Sequence, residues 1–270
     1  MFWSGIQIII HKSDKVLLGY LASPVLVAKY VITNYMADMI KSLIMYVISG
    51  TLPGLSKLYG TGDLEKLRNI KSLIYTITWI FCIGIGSIGL LFNQSFVHLW
   101  VGGDKYAGQL PNLLLIVIVI QYMLLFNDSE LIDITLNIRK KVMIGAISAV
   151  SSITLIVLLV PKYEIIGLAI AIIIGRSIMS IMYPILVNQI INVTNSKQKI
   201  DYKKILTVIS LFTTCFVLGD KILITNWLVL ISISFISFTI LIIFSFYTTT
   251  IPLEREKILN QIKKINFLNR

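Results

Sequence analysis

Residues 142–187 read VMIGAISAVSSITLIVLLVPKYEIIGLAIAIIIGRSIMSIMYPILV. Two apolar runs, 142–160 and 165–187, flank the short polar break Pro161, Lys162, Tyr163 and Glu164, and the one charged side chain within the runs is Arg176. Each run matches the about 20 residues that a helix needs to cross a hydrocarbon core of about 30 Å. In that setting only helices that satisfy their own backbone, or closed barrels, are viable. A window of about 19 residues moved outward from this pair finds further spans at 2–22, 24–50, 72–92, 111–131, 205–218 and 227–247. The reading is an all-α polytopic membrane bundle of about eight transmembrane helices. Six of the spans fall within residues 1–190 and two within 191–250, and a basic tail follows at 251–270.

Composition agrees. The 270 residues are 56% hydrophobic and 14% charged, with mean hydropathy +0.86, against about 25% charged for soluble domains. The net charge of +11 could suggest nucleic acid, but the basic residues fall between apolar segments instead of forming one basic domain. Cys82 and Cys215 each sit in an apolar run, where neither a disulfide framework nor a metal pair can be read. The run 2–10 leads into His11, Lys12 and Asp14 without a small-residue cleavage site, so the first helix is expected to be retained. Met1 opens almost directly onto that helix, which suggests a partial chain.

Lysine and arginine fix an expected orientation. One set of alternate connections carries sixteen: Lys57, Lys66, Arg68 and Lys71; Arg139, Lys140 and Lys141; Lys197, Lys199, Lys203 and Lys204; then Arg255, Lys257, Lys263, Lys264 and Arg270. The other set carries Lys105, Lys162 and Lys221. The positive-inside rule places the first set, and both termini, in the cytoplasm. Polar, turn-rich connections are expected at 56–69, 93–109 and 192–204. Trp3, Trp100 and Trp227 fall where an aromatic belt would anchor them. Residues 253–267 read as an amphipathic basic helix, with Ile258, Ile262 and Ile265 on one side, resting on anionic membrane lipids.

The informative residues are charges at membrane depth. On the first span Ser4, Gln7, His11, Asp14, Lys15 and Ala22 share one arc at 100° per residue. On an insertion scale Lys12, Asp14 and Lys15 cost roughly 8–10 kcal/mol, about twice what the large apolar residues of that helix return. The arc must therefore face other helices or water. Asn34, Asp38 and Lys41 form a second stripe, and Arg176, Ser180 and Tyr183 a third. Lys12, Asp14, Lys15, Asp38, Lys41 and Arg176 are the candidate cavity residues, and their excess of cations favours an anionic ligand. The plainer alternative is packing glue, with Asp14 paired to Lys15 or Arg176 and Asp38 to Lys41. Lys29 is expected to snorkel, His11 to be a hydrogen-bonded interior residue, and Asp128, Glu130 and Asp133 to form a solvated rim. No HExxH, GxSxG, Walker A or GxGxxG motif surrounds His11 or His98, so no enzyme, cofactor or metal is expected.

Several segments carry a family likeness. Asp14-Lys15-Val16-Leu17-Leu18-Gly19-Tyr20-Leu21 is followed by Val27-Ala28-Lys29-Tyr30, with Ala28 where glycine is common. Leu52-Pro53-Gly54-Leu55-Ser56-Lys57-Leu58 precedes Gly62-Asp63-Leu64-Glu65-Lys66-Leu67. Phe96-Val97-His98-Leu99-Trp100-Val101-Gly102 comes just before Tyr106. Together they resemble the carboxyl-terminal half of Wzx-type polysaccharide flippases, in the superfamily that includes MATE drug exporters and lipid II flippases. The resemblance implies fourteen helices around an alternating cationic cavity, of which this chain would supply helices seven to fourteen. It also implies transport of an undecaprenyl-diphosphate-linked oligosaccharide across the bacterial cytoplasmic membrane for O-antigen, capsule or teichoic-type polymers. A proton or sodium ion could drive it through Asp14 or Asp38, and the missing bundle would come from a partner chain, a homodimer or a longer original reading frame. The rival readings are a MATE-like drug antiporter, a membrane glycosyltransferase or polymerase, and an inactive piece of a split flippase.

If the orientation holds, a cysteine substituted for Lys66 will react with an impermeant maleimide only after cells are opened. One substituted for Lys105 will react in intact cells. Labelling of both from the same side would overturn the helix count.

Overall fold

A computed structural model of the chain describes residues 14–191 and 202–249, and these are helical with no strand among them. Helix α1 is described over 14–21. It is followed by α2 (Pro24–Gly50), α3 (Leu52–Gly60), α4 (Leu64–Val101), α5 (Gln109–Asp133), α6 (Arg139–Ile190), α7 (Tyr202–Gly219) and α8 (Trp227–Thr249). The first span expected from sequence is thus described only from Asp14 onward, and the basic tail after Thr249 lies outside the described residues. So do Trp3, His11 and most of the 192–204 connection.

Local chemistry explains the helix starts. The Ser23 hydroxyl accepts from the Leu26 amide and Pro24 occupies the first turn of α2, a cap followed by a residue with no amide hydrogen to satisfy. Asp63 caps α4 by accepting from the Lys66 amide at 3.1 Å. At the other end of α4 the chain reverses over a single 3₁₀ turn, Gly103–Lys105, between Gly102 at φ +96° and Gly108 at φ +102°. Both values are disfavoured for residues with a Cβ.

Helix α6 is two helices. Glu164 has φ 49° and ψ −125°, which breaks the helical path, and the halves 139–163 and 165–190 fold back on each other. The Ser148 hydroxyl donates to the Gly175 carbonyl at 2.9 Å, and a Cβ at Gly167 would lie 2.5 Å from the Leu159 carbonyl oxygen. These pairings run antiparallel around the 161–164 break, so the spans read at 142–160 and 165–187 are the two legs of one hairpin. Among the described residues four helices, α4, α5, α6 and α8, are long and apolar enough to cross a membrane, or five where the bent pair Pro24–Met39 and Ile44–Gly60 counts as one span. Helix α7 is shorter.

The connections expected at 56–69 and 93–109 need correction. Helix α3 runs to Gly60 and α4 begins at Leu64, while α4 continues through 93–101. Polar composition reads there as loop; over 56–69 the polar side chains lie on the exposed sides of the helices, whereas Asn93, Ser95 and Gln109 turn into the bundle. Asn93 is buried and donates to the Thr33 carbonyl at 2.7 Å and the Asn112 side-chain oxygen at 2.8 Å. Asn112 donates to the Gly89 carbonyl at 2.9 Å. Gln109 donates to the carbonyls of Leu90 and Phe216. One hydrogen-bonded clamp thereby joins α2, α4, α5 and α7.

Helix α4 is the hub, packed by α2, α5, α7 and α8, whereas α7 and α8 meet each other little. Its glycines make the room: a Cβ at Gly84 would lie 3.1 Å from Phe238 of α8, at Gly86 2.5 Å from Phe212 of α7, and at Gly89 2.9 Å from Ile116 of α5. Small residues at the seams let membrane helices approach where lipid offers no hydrophobic drive.

Gly175 tests the hairpin. A Cβ there would meet the Ser152 hydroxyl at 2.0 Å and the Ser152 Cα at 2.7 Å, whereas at Gly54 nothing lies within 4 Å. Gly175→Ala is expected to cost about 1–3 kcal/mol through overpacking, and Gly54→Ala to be neutral or stabilising by about 0.5–1 kcal/mol. Thermal unfolding in detergent, followed by circular dichroism, compares them; equal midpoints would refute the close seam.

Candidate functional site

Four elements converge on Arg176. It sits mid-way along the second leg of α6, only 6% exposed, with its guanidinium 5.7 Å from the centre of the Tyr122 ring on α5. The Lys41 ammonium of α2 lies 5.2 Å from the same ring. Asp14, Asp38, Tyr30 and Tyr122 all act electrostatically on the guanidinium, yet among the described residues no carboxylate approaches it within ion-pair distance. An aromatic face partly compensates a desolvated cation.

The two carboxylates are held otherwise. Asp14 is buried and accepts from the Tyr30 hydroxyl at 2.6 Å and the Lys15 amide at 2.8 Å. Asp38 accepts from the Asn34 amide at 2.7 Å and forms an ion pair with Lys41. On α5, Gln121 donates to the Ser180 hydroxyl at 3.1 Å and the Ile173 carbonyl at 3.2 Å. The side-chain oxygens of Asn34 and Gln121 are buried without a hydrogen-bond partner.

The candidates from sequence divide accordingly. Asp14, Asp38, Lys41 and Arg176 come together. Lys15 is exposed and contributes only its backbone amide. The burial of Asp14 turns this next residue along the helix about 100° away. Lys12 lies outside the described residues. Asp14 pairs with neither Lys15 nor Arg176, and two cations now face two carboxylates, so the expected cationic excess is absent from the described wall. Gln121 and Tyr122 escaped the sequence reading, and Tyr30 entered it only within the family-like segment Val27-Ala28-Lys29-Tyr30. Gln121 and Tyr122 interrupt an apolar run, a visible signal, but nothing local indicates that Tyr30 meets a carboxylate sixteen positions earlier.

The solvated rim also needs correction. Asp128 is 3% exposed and lies 3.9 Å from the Lys71 ammonium. Lys141, read as a loop cation, is fully buried and donates to Asp133 at 2.6 Å and to the Ser129 carbonyl at 3.2 Å. The helices extend past the expected membrane edge and fold these charges into the bundle. Tyr183 points into an apolar cluster with its hydroxyl unpaired, so the stripe 176, 180, 183 serves two surroundings.

Among the described residues no group of histidine, cysteine or carboxylate side chains could hold a metal ion. No protein-family model matches the sequence, and no curated protein or solved structure is significantly similar to it.

Tyr30→Phe would leave a buried carboxylate oxygen without its donor, at a cost of about 1–3 kcal/mol. Tyr30→Phe in an Asp14→Asn background should cost less, because the charge is already gone. Denaturation midpoints of the four proteins give the coupling, and additive losses would exclude the bond.

Proposed function

We propose that the chain is the carboxyl-terminal half of a membrane flippase that moves an undecaprenyl-diphosphate-linked oligosaccharide between leaflets of the bacterial cytoplasmic membrane. The observation that carries this reading is Arg176, a buried guanidinium with no ion-pair partner among the described residues. A planar fork at membrane depth is suited to the paired oxygens of a phosphate, and it would replace hydration that a diphosphate loses in hydrocarbon. Lys41 lies over the same ring and could leave Asp38 for the ligand.

The resemblance to Wzx-type flippases supplies the substrate class and the expectation that a partner chain or second copy completes the cavity. In such a scheme the two halves rock about a site near the midplane. Asp14 or Asp38 would bind the coupling proton or sodium ion. One observation favours the drug-antiporter reading: the described wall holds as many carboxylates as cations, so a cationic substrate could displace Lys41 from Asp38.

The test is rescue of surface polymer in a flippase-null strain, with this chain alone and with a candidate first-half chain. Arg176→Ala should reduce rescue at least about tenfold, as expected when a charge-assisted contact worth about 1.5–3 kcal/mol is lost, and Arg176→Lys should retain part of it. Arg176→Ala with undiminished rescue would refute the anion site. Polymer rescue absent in every pairing, together with Asp38-dependent drug resistance, would favour the antiporter.

A further inference from the structure

A second buried polar group lies apart from the Arg176 wall, toward the α3 end of the bundle. Asp128 is six residues beyond Tyr122 on α5, about 9 Å along the axis. Its side chain is 4% exposed, and its Oδ1 has no hydrogen-bond partner. The nearest opposite charge is the Lys71 ammonium of α4, 3.9 Å from that same oxygen, too long for a hydrogen bond. The neighbouring Asn127 is 4% exposed and leaves both amide atoms unpaired.

The surroundings are mapped helix by helix. From α4, Tyr75 lies one turn beyond Lys71 and interacts electrostatically with Asp128. From α6, Lys141 is engaged by Asp133 and the Ser129 carbonyl, and the Tyr183 hydroxyl is buried and unpaired. From α3, Tyr59 packs at the edge of the apolar cluster formed by Leu55, Leu125, Leu131 and Tyr183. From α2, Lys41 reaches Tyr122 and pairs with Asp38 instead.

We propose that Asp128 is a proton-binding site, and that taking up a proton from water releases the inter-helix attraction between Asp128 on α5 and Lys71 on α4. The step adds one proton to the carboxylate to give a carboxylic acid, with no other bond made or broken. A metal cation fits poorly because the lysine ammonium already faces the free oxygen and the shell holds few other oxygen ligands. A proton needs only one lone pair, and it removes a charge that is expensive to keep in a dry interior. Lys71, with a side chain 18% exposed, can then turn its ammonium toward water along its flexible stem. The site would make the α4–α5 contact sensitive to pH, independently of whatever Arg176 binds.

Infrared difference spectra of the full chain in lipid nanodiscs, stepped from acidic to alkaline buffer, test this directly. The wild type should show a protonated-carboxyl C=O band that disappears as pH rises and shifts in heavy water. Asp128→Asn should lose that band and Asp14→Asn should keep it, which separates this site from the carboxylates of the proposed transport wall. Asp128→Glu should move its frequency. Lys71→Gln should let the band persist to more alkaline pH, since removing a cation favours the neutral acid. A band unchanged in Asp128→Asn, or indifferent to Lys71→Gln, would overturn the proposal, and the lysine variant keeps the test decisive should Asp128→Asn fail to fold.

Discussion

A polar group carried into the apolar interior of this bundle must find its partner within the protein, because hydrocarbon offers none. That requirement organises the molecule. The clamp built from Asn93, Asn112, Gln109 and Thr33 ties four helices together through side chain to carbonyl bonds, and the glycines of α4 let the remaining contacts close around it. Once α4 is fixed as the hub, α2, α5 and the second leg of α6 bring Asp38, Tyr122 and Arg176 to one place.

Not all of these groups are satisfied, and the exceptions are the chemically interesting positions. Arg176 rests on an aromatic ring instead of a carboxylate, while Asn34 and Gln121 each keep a free acceptor close by. Asp128 and Asn127 repeat the pattern nearer the carboxyl-terminal end of α5. Natural interiors pair nearly all buried polar atoms, so such groups are where a ligand or a proton has something to gain.

Much of this was legible from the chain alone. The apolar runs reveal long apolar helices, and period-3.6 spacing groups Asp14, Asp38, Lys41 and Arg176 as candidates, of which Asp14 and Arg176 are buried. What failed was the inference from polarity to loop. Asn93 and Lys141 bond across helices and Lys71 faces Asp128 across the α4–α5 contact, and that is a tertiary property with no local signature. The same blindness hid Tyr30: a tyrosine in an apolar helix looks like packing until the carboxylate it serves is placed beside it. Lys15 shows the converse, since an arc drawn about a third of a turn wide admits a residue whose side chain leaves the bundle.

The hairpin of α6 has a consequence for biogenesis. Its tip is closed at Glu164, and its legs already satisfy the Ser148 hydroxyl through the Gly175 carbonyl, so the pair can leave the translocon as a unit joined by its own polar contact. The guanidinium enters on the later leg, after the carboxylates of α1 and α2 have been synthesised. Completion of the polar wall is therefore a late event in assembly, and the earlier helices must hold Asp14 and Asp38 with their own tyrosine, asparagine and lysine until it arrives.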